Sequence, residues 1–327
     1  MNEFRNYQQF SVNITNPAYP DPCGGRDPRS FVVSTPANIV VLANDYQQPA
    51  SDQFNAGVSQ RLTADLAVHV DAVYTHVEED RKIQDINPRD PASRLRPNAT
   101  FGRVDRCTNR PGDVQYQALY VKLDKRFSHR TQFLVSRTFA HSDDNAPLVR
   151  YIDPFNPGLD FGPSNGERRS ALVASGAFLA HSGYYARRRL ESAITASVEH
   201  DGGEDLNRDG FNTDLVPGTT RNSGSRDLNL AAVNAWRAQN GLGAVDPSQI
   251  DSSRINIADV RASKTIAFRA GDAARSSSRR RFNVFNTTNL QAQFGGGRVT
   301  NALSPIFGSI QTARPGTQGE LAAKIGW

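Results

Sequence analysis

The sequence has no long hydrophobic run. No stretch of about 18 consecutive apolar residues occurs among its 327 residues, which excludes a helical membrane span. Hydrophobic residues make up 38% of the chain, which is low for a compact α/β enzyme but too high for a disordered chain. Residues 1–10 lack the basic start and apolar stretch of a signal peptide. We therefore expect either a cytosolic protein or a sequence that begins inside a longer reading frame.

Cysteine and histidine are scarce and scattered. The two cysteines, Cys23 and Cys107, have no metal-binding spacing, and both fall in stretches rich in proline, glycine and aspartate that we predict to be loops. Two interpretations are open: unrelated loop thiols, or a disulfide between loops in an oxidising compartment. The six histidines form no pair with metal-ligand spacing on one predicted face.

Catalytic and nucleic-acid-binding motifs are also missing. There is no Gly-x-Ser-x-Gly motif, and the glycines at 295–297 are not followed by the Lys-Ser/Thr of a phosphate-binding loop. The net charge of +5 is modest, and the basic clusters at 187–189 and 279–281 have no nucleic-acid recognition motif beside them. We therefore predict neither an enzyme nor a nucleic-acid partner.

What the sequence does have is alternation of apolar and polar residues, the pattern of half-buried β-strands. We predict about nine strands of roughly ten residues each. They lie at 51–62, 66–76, 118–127, 131–142, 169–180, 184–200, 259–268, 279–289 and 319–327. In the third of these, Leu119, Val121 and Leu123 lie on one side of the strand, and Lys122 and Asp124 lie on the other.

The connections between these segments alternate between short and long. Short turns occupy 63–65, 128–130, 181–183 and 269–278, whereas long segments rich in Asn, Asp, Gly, Pro and Arg occupy 80–113, 142–167, 201–256 and 289–317. All tight turns therefore lie at one end of a meander and all long loops at the other. This arrangement is typical of a transmembrane β-barrel, which has short periplasmic turns and long extracellular loops.

We predict an all-β fold, namely an antiparallel transmembrane β-barrel segment that forms a complete or an incomplete barrel in the cell outer membrane. Apolar strand residues would face lipid, whereas Lys122, Asp124, Arg189 and Glu191 would face a wet interior. Arg137 is the exception on an otherwise apolar side. The alternative is a secreted, soluble β-rich adhesion or carbohydrate-binding module, in which the apolar side would be buried against a second layer.

The last segment alternates as well. Leu321, Ala323, Ile325 and Trp327 are apolar, and the residues between them are polar or small. We predict that these four residues form an assembly signal, because the last strand must pair along its length to complete the sheet. Trp327 would lie in an aromatic girdle at the membrane interface. The alternative is an ordinary edge strand of a soluble sheet that ends on tryptophan.

The most specific local motif is DLNRDG. Asp205, Asn207 and Asp209 have the i, i+2, i+4 spacing of the first half of a calcium loop, and a glycine follows them. The twelfth position is Val216 rather than glutamate, and Asp214 is a substitute ligand. Two interpretations are open: Ca2+ bound by these residues to order a long extracellular loop, or a solvated turn stabilised by side-chain-to-backbone hydrogen bonds.

Arginine clusters lie at both ends of the predicted strands. Arg168 and Arg169 fall at the extracellular end, and the cluster at 187–189 falls near the periplasmic rim. Extracellular arginines either pair with lipopolysaccharide phosphates, which the guanidinium group matches bidentately, or snorkel at the interface. Outer-membrane lipid and lipopolysaccharide are therefore predicted partners.

Several segments, in their order along the chain, resemble TonB-dependent outer-membrane receptors. They are YQALYVKLDKRFSHRTQFLVSRTFAHSDDN, DFGPSNGERRSALVASGAF, DLNRDGFNTDLVPGTTRNSG, FNVFNTTN and a final strand that ends in an aromatic residue. NPAYPDP and NDYQQPASDQFNAGVSQRL near the start fit the same family. More narrowly, the sequence is similar to Oar-like receptors, which carry an N-terminal carboxypeptidase-like regulatory domain. The motifs are loose, and their order is what makes the resemblance specific.

The resemblance implies a barrel of about 22 strands, a plug domain inside it, insertion by the barrel assembly machinery, and import powered by TonB. Only the C-terminal part of such a barrel is matched, so TonB would be contacted only through the missing N-terminal part. We therefore predict that residues 1–50 are an extracellular loop region with N-terminal truncation, and that residues 51–327 are C-terminal barrel strands. The parent protein would bind and import a large substrate, which the sequence does not identify.

Overall fold

The fold is dominated by one large antiparallel sheet, seen in a computed structural model of the chain. The structure describes residues 19–27, 36–108, 112–145, 151–164, 167–179, 183–191, 205–211, 214–222, 227–267, 274–291 and 298–326, with the single positions 14, 17 and 30. Within these residues, no helix has both the length and the apolar character needed to cross a membrane.

Thirteen strands and one α-helix are described. The strands are β1 (Ala37–Leu42), β2 (Ala50–Arg61), β3 (Leu66–Glu78), β4 (Lys82–Asp85), β5 (Phe101–Thr108), β6 (Asp113–Ser128), β7 (Thr131–Asp144), β8 (Gly162–Pro163), β9 (Ser170–Leu179), β10 (Gly183–Glu191), β11 (Ile255–Ala267), β12 (Ala274–Phe282) and β13 (Gln318–Gly326). The helix α1 spans Leu230–Gln239. The large sheet has the order β13-β12-β11-β10-β9-β7-β6-β3-β2, and the short strand β8 pairs with β7.

The nine strands of this path correspond to the nine strands that alternation predicts, so the antiparallel meander is confirmed. The predicted bounds of β12 were wrong. We expected a turn over 269–278 followed by a strand over 279–289, whereas β12 begins at Ala274 and ends at Phe282. The run RSSSRRR contains no apolar residue, so its membership in the sheet depends on ladder pairing with β11 and β13 and not on amphipathic alternation.

The two edges of the large sheet are unpaired within the described residues. Neither β2 nor β13 has a second neighbour, so the sheet is not closed into a barrel. Every neighbouring pair along the path is antiparallel, and eight such pairings separate the two edge strands. Because direction reverses at each pairing, β2 and β13 run the same way.

A smaller sheet lies among the long connections, with the order β1-β5-β4. Strand β5 pairs antiparallel with β4 and parallel with β1, so this sheet departs from the antiparallel pattern that we predicted for the whole chain. Cys107 belongs to β5, which corrects its assignment to a loop. Cys23 and Cys107 are both free thiols, each half-buried, so the structure contains no disulfide between them.

The long connections, and not the large sheet, contain the buried hydrophobic core of the described residues. This cluster consists of Val216, Val233, Val245, Ala302 and Phe307, and Leu228, Leu230, Trp236 and Ile250 pack against it. These residues come from the β10–β11 and β12–β13 connections, which both leave the same end of the sheet. The loops at that end therefore fold into a packed unit, which we call the loop cap.

Candidate functional site

One face of the large sheet carries most of its exposed apolar side chains. The ladder places Val58, Val70 and Val121 side by side, and Leu123 pairs with Val135 one step along the same face. The large exposed hydrophobic residues of β2, β6, β7, β9, β11 and β13 on this face are Phe54, Val58, Leu119, Phe139, Phe178, Val260 and Leu321. No second layer of described residues covers them. We call this surface the apolar belt.

Aromatic residues flank the apolar belt at both ends. Phe54 and Tyr74 pair across strands β2 and β3 near the long loops, and their rings are 6.5 Å apart. Phe133 and Phe178 lie near the short turns, on β7 and β9. Two aromatic girdles on either side of an aliphatic band match the membrane-facing surface of an outer-membrane barrel. The soluble alternative required this surface to be buried, and in the described residues it is exposed.

The opposite face of the same strands is polar. Lys122 and Asp124 lie on it, with Lys122 Nζ 3.5 Å from Asp124 Oδ2. His69 Nδ1 is 2.7 Å from Ser59 Oγ on the neighbouring strand. The ladder places Arg189 and Glu191 in register with Val173 and Ala171 of β9, on this polar face. The four charged residues predicted to line a wet interior therefore share one side of the sheet.

Arg137 is a charged residue between Phe133 and Phe139 on the apolar face of β7. It pairs with Val121 and Leu172 in the ladder, so it occupies the apolar face. Its guanidinium carbon is 4.7 Å from the centre of the Phe139 ring. A cation–π contact of this kind offsets part of the free energy of placing a cation among apolar groups.

Introducing an arginine into the belt tests the assignment of its two faces. We expect Val135→Arg to destabilise the protein in lipid, lowering its free energy of unfolding by about 2–4 kcal/mol, because the charge would lie near the middle of the hydrocarbon layer. Thr138→Arg on the same strand is the matched control, since Thr138 pairs with Tyr120 on the polar face. The measurement is urea unfolding in lipid vesicles. Equal losses for the two variants would contradict the assignment.

Two buried arginines anchor the loop cap. Arg237 of α1 donates hydrogen bonds to the carbonyl oxygens of Ala302 and Ser304, at 2.5 Å and 2.8 Å. Arg298 donates to the carbonyl oxygens of Gly308 and Asp251, at 2.9 Å and 2.8 Å. Because each guanidinium group bridges separate chain segments, the cap is held by polar cross-links as well as by its apolar core.

A buried ion cluster joins the β3–β6, β7–β9 and β10–β11 connections at the same end of the sheet. Lys82 Nζ is 2.8 Å from Asp160 Oδ2, and both side chains are almost fully buried. Arg221 donates to the carbonyl oxygen of Asp160 at 2.7 Å and pairs with Asp144 at 2.5 Å. Burial lowers the pKa of Lys82 and raises the pKa of Asp160, while their mutual ion pair opposes both shifts. The Tyr151 ring lies 3.9 Å from Lys82 Nζ.

The aspartate and asparagine residues of the DLNRDG motif meet in one loop. Asp214 Oδ2 accepts hydrogen bonds from the backbone N–H groups of Leu206 and Asn207. The other side chains accept bonds from backbone groups a few residues further along: Asn207 from Asp209, Asp209 from Phe211 and Asp205 from Gly210. The bonds of Asn207 and Asp209 are those of Asx turns, and the bonds of Asp205 and Asp214 close the loop between more distant residues. In the described part of the chain, no group of three or more His, Cys, Asp or Glu residues is arranged to hold a metal ion. Calcium binding stays a prediction.

The stability of this loop depends on pH through the carboxylate of Asp209. Burial, followed by the charges of Asp214 and Asp205, raises the pKa of Asp209 from 3.8 to about 6. The folded loop therefore takes up a proton below pH 6 that the unfolded loop takes up only below about pH 3.8. We expect the loop to become less stable as the pH rises from about 4 to about 6. Hydrogen exchange of residues 205–211, corrected for intrinsic rates, measures this dependence.

Asp209→Asn should flatten this profile, because the amide oxygen still accepts from Phe211 but carries no charge. Asp246→Asn is the control, since the pKa of Asp246 is lowered by bonds from Ser248 in a separate turn. Adding Ca2+ at pH 7.5 tests the calcium prediction in the same experiment. Increased protection that disappears in Asp209→Asn would support it, and unchanged exchange would contradict it.

The predicted rim and assembly residues have separate locations. Arg169 pairs with Glu167 and Asp227 at 3.2 Å and 3.8 Å, so its charge is balanced within the chain.

Leu321, one of the four predicted assembly residues, is 80% exposed on the apolar face of β13. Ala323 pairs with Ser277, and Ile325 pairs with Arg275. Trp327 lies outside the described residues.

An exposed apolar belt between two aromatic girdles, a polar opposite face, short turns at one end and folded loops at the other define a segment of an outer-membrane β-barrel. The chain belongs to the outer membrane beta barrel domain family, whose model matches residues 2–180. It is a protein of the outer membrane.

The fold is similar to that of the outer membrane transporter YddB from Escherichia coli, with a TM-score of 0.52 and 11% sequence identity. The similarity covers 89% of this chain and 34% of the transporter, so the chain spans about a third of that protein. No curated protein matches.

Proposed function

We propose that this chain forms C-terminal barrel strands of a TonB-dependent outer-membrane receptor, of the Oar-like kind, that binds a large substrate at the cell surface and imports it. The proposed role is not enzymatic. One observation carries it: the loops at one end of the sheet fold into a packed cap, while the other end has only short turns. A folded cap provides a fixed surface for recognition, which loose loops would not provide.

Two further points support the proposal. The fold is similar to that of an outer membrane transporter, although the chain spans only about a third of it. The polar face carries charges of both signs, as the interior of a water-filled barrel does. The TonB contact belongs to a part of the receptor that this chain does not match, as the resemblance of its sequence implies.

Uptake measurements in cells that express the gene test the proposal. Pools of fluorescent oligosaccharides and peptides would be offered to strains with and without TonB. We expect uptake that requires TonB and that is lost when the cap segment 227–250 is replaced by a short glycine-serine linker. Outer-membrane protein with no TonB-dependent difference in uptake of any pool would contradict the import role.

We also propose that the apolar residues of the last strand are recognised by the barrel assembly machinery. Leu321 supports this, because it is exposed on the apolar face of β13. Deleting Trp327 should reduce the amount of protein in outer-membrane fractions several-fold, whereas Lys324→Gln on the polar face should not. Normal insertion without Trp327 would contradict a terminal assembly signal.

A further inference from the structure

The apolar face changes character on strands β10 to β12. Five cationic residues lie on it. Arg275 pairs with Ile266 and Ile325, and the other four, whose side chains are exposed, are Arg188, Lys264, Arg279 and Arg281. The ladder assigns them to this face, because Arg188 pairs with Ala174 and Ala258, Arg279 with Ala262 and Leu321, and Arg281 with Val260. No Asp or Glu occupies this face on β9 to β13, and none of the four cations forms an ion pair within the described residues.

A groove of about 520 Å³ lies among these cations. Its floor contains the small side chains of Ala262, Ser277 and Ala323. The ladder places Ala262, Arg279 and Leu321 in one row across β11, β12 and β13, and Lys264, Ser277 and Ala323 in the next row. Lys264 pairs with Ser277, and Arg279 pairs with Ala262, so the two cations are diagonal neighbours across β11 and β12. Diagonal neighbours are about 7–8 Å apart, within reach of one anion for side chains of this length.

Uncompensated cations are unfavourable on a lipid-facing surface. Each Lys or Arg near the bilayer midplane costs about 2–4 kcal/mol, and the cost falls toward the interfaces. An anion bound between the two side chains would offset this penalty. A phosphate group suits the site, because the planar guanidinium of Arg279 can bind it bidentately while Lys264 supplies a second charge.

The position of the groove selects the source of the phosphate. Lys264 is three residues from Ala267, where β11 ends at the short turn, so it lies about 10 Å along the strand from that end. The short turns of outer-membrane barrels are periplasmic. Leu321 and Ala323 of β13 form an apolar strip beside the cations, which would accommodate an acyl chain and not an acidic peptide.

We propose that this groove binds the phosphate of an anionic phospholipid in the periplasmic leaflet, with an acyl chain lying against Leu321 and Ala323. The bound phosphate neutralises the cations of β11 and β12, so these strands can face lipid as a purely apolar surface does. The site depends on the outer-membrane location of the chain and not on its transport activity.

Native mass spectrometry of the full chain in detergent tests this proposal. Phosphatidylglycerol, phosphatidylcholine and lipid A would be offered separately. We expect preferential retention of phosphatidylglycerol, weakened about tenfold or more in the double variant Lys264→Gln/Arg279→Gln, because two charged hydrogen-bond donors are lost. Lys264→Arg keeps the charge and should retain the lipid.

Lys324→Gln is the matched control. Lys324 pairs with Ser276, one step from the groove, but on the polar face. Equal retention of phosphatidylglycerol and phosphatidylcholine would overturn the proposal, as would equal loss in Lys324→Gln. Tighter binding of lipid A would also overturn it, since the source would then be the outer leaflet. Circular dichroism of each variant confirms that it is folded; if the double variant is not, Lys264→Gln alone must show reduced retention.

Discussion

Replacing Lys82 by methionine is expected to destabilise the loop end of the sheet by about 3–5 kcal/mol, because the change leaves the buried carboxylate of Asp160 without its cation. Asp160 is fully buried, and its remaining side-chain contact is a hydrogen bond from the Ile152 N–H at 3.0 Å. Arg221 contacts the Asp160 carbonyl oxygen, so it does not replace the lysine at the carboxylate. Hydrogen exchange of residues 151–164 should accelerate by two orders of magnitude or more.

Two further variants separate charge from packing in this cluster. The double variant Lys82→Met/Asp160→Leu should recover much of the lost stability, because apolar residues of similar size replace both charges. Lys122→Gln on the polar face removes one member of an exposed pair and should change stability by less than about 1 kcal/mol. Unchanged exchange in Lys82→Met would show that the ion pair does not hold the loops together.

The second large effect is expected at Phe307, at the centre of the loop cap. Its side chain is fully buried against Val216 and Val233 of the cap core. Phe307→Ala should lower the stability of the cap by about 3–5 kcal/mol, since it removes a large buried side chain and leaves a cavity. The amides of α1 should then lose most of their protection from hydrogen exchange.

Ile306→Ala is the matched control for this prediction, because the neighbouring Ile306 is 48% exposed. It should change the protection of α1 only slightly. The amides of β6 and β7 should keep their protection in both variants, since the cap core and the residues packed against it come from other segments. Parallel loss of protection in the cap and in the sheet would contradict a cap that unfolds as a separate unit.

The large sheet could be predicted from the sequence because the information for it is local. A period of two specifies which residues share a face, and a tight turn specifies which strands pair, as in β6 and β7 around residues 129 and 130. The alternation of apolar and polar residues did not predict the bounds of strand β12 correctly. Its arginines and serines leave both faces polar, so the boundary depended on neighbours that the sequence does not reveal.

The loop cap and the ion cluster could not be predicted in the same way. Lys82, Asp160 and Arg221 come from three different connections and Asp144 from the end of β7, and nothing in the sequence indicates that they meet. Helix α1 did leave a signal: a run of strong helix formers after Asn229, whose side chain accepts a bond from the Ala232 N–H. The DLNRDG loop is local, and its two open interpretations differ only in whether an ion is present.

The shared direction of β2 and β13 restricts any ring that contains this sheet. If the two edges met directly, they would lie parallel at the junction, unlike every other pair along the path. An antiparallel ring has an even total, and nine strands are already in place along the path. The remainder needed to complete such a cylinder is therefore an odd number, whichever polypeptide supplies it.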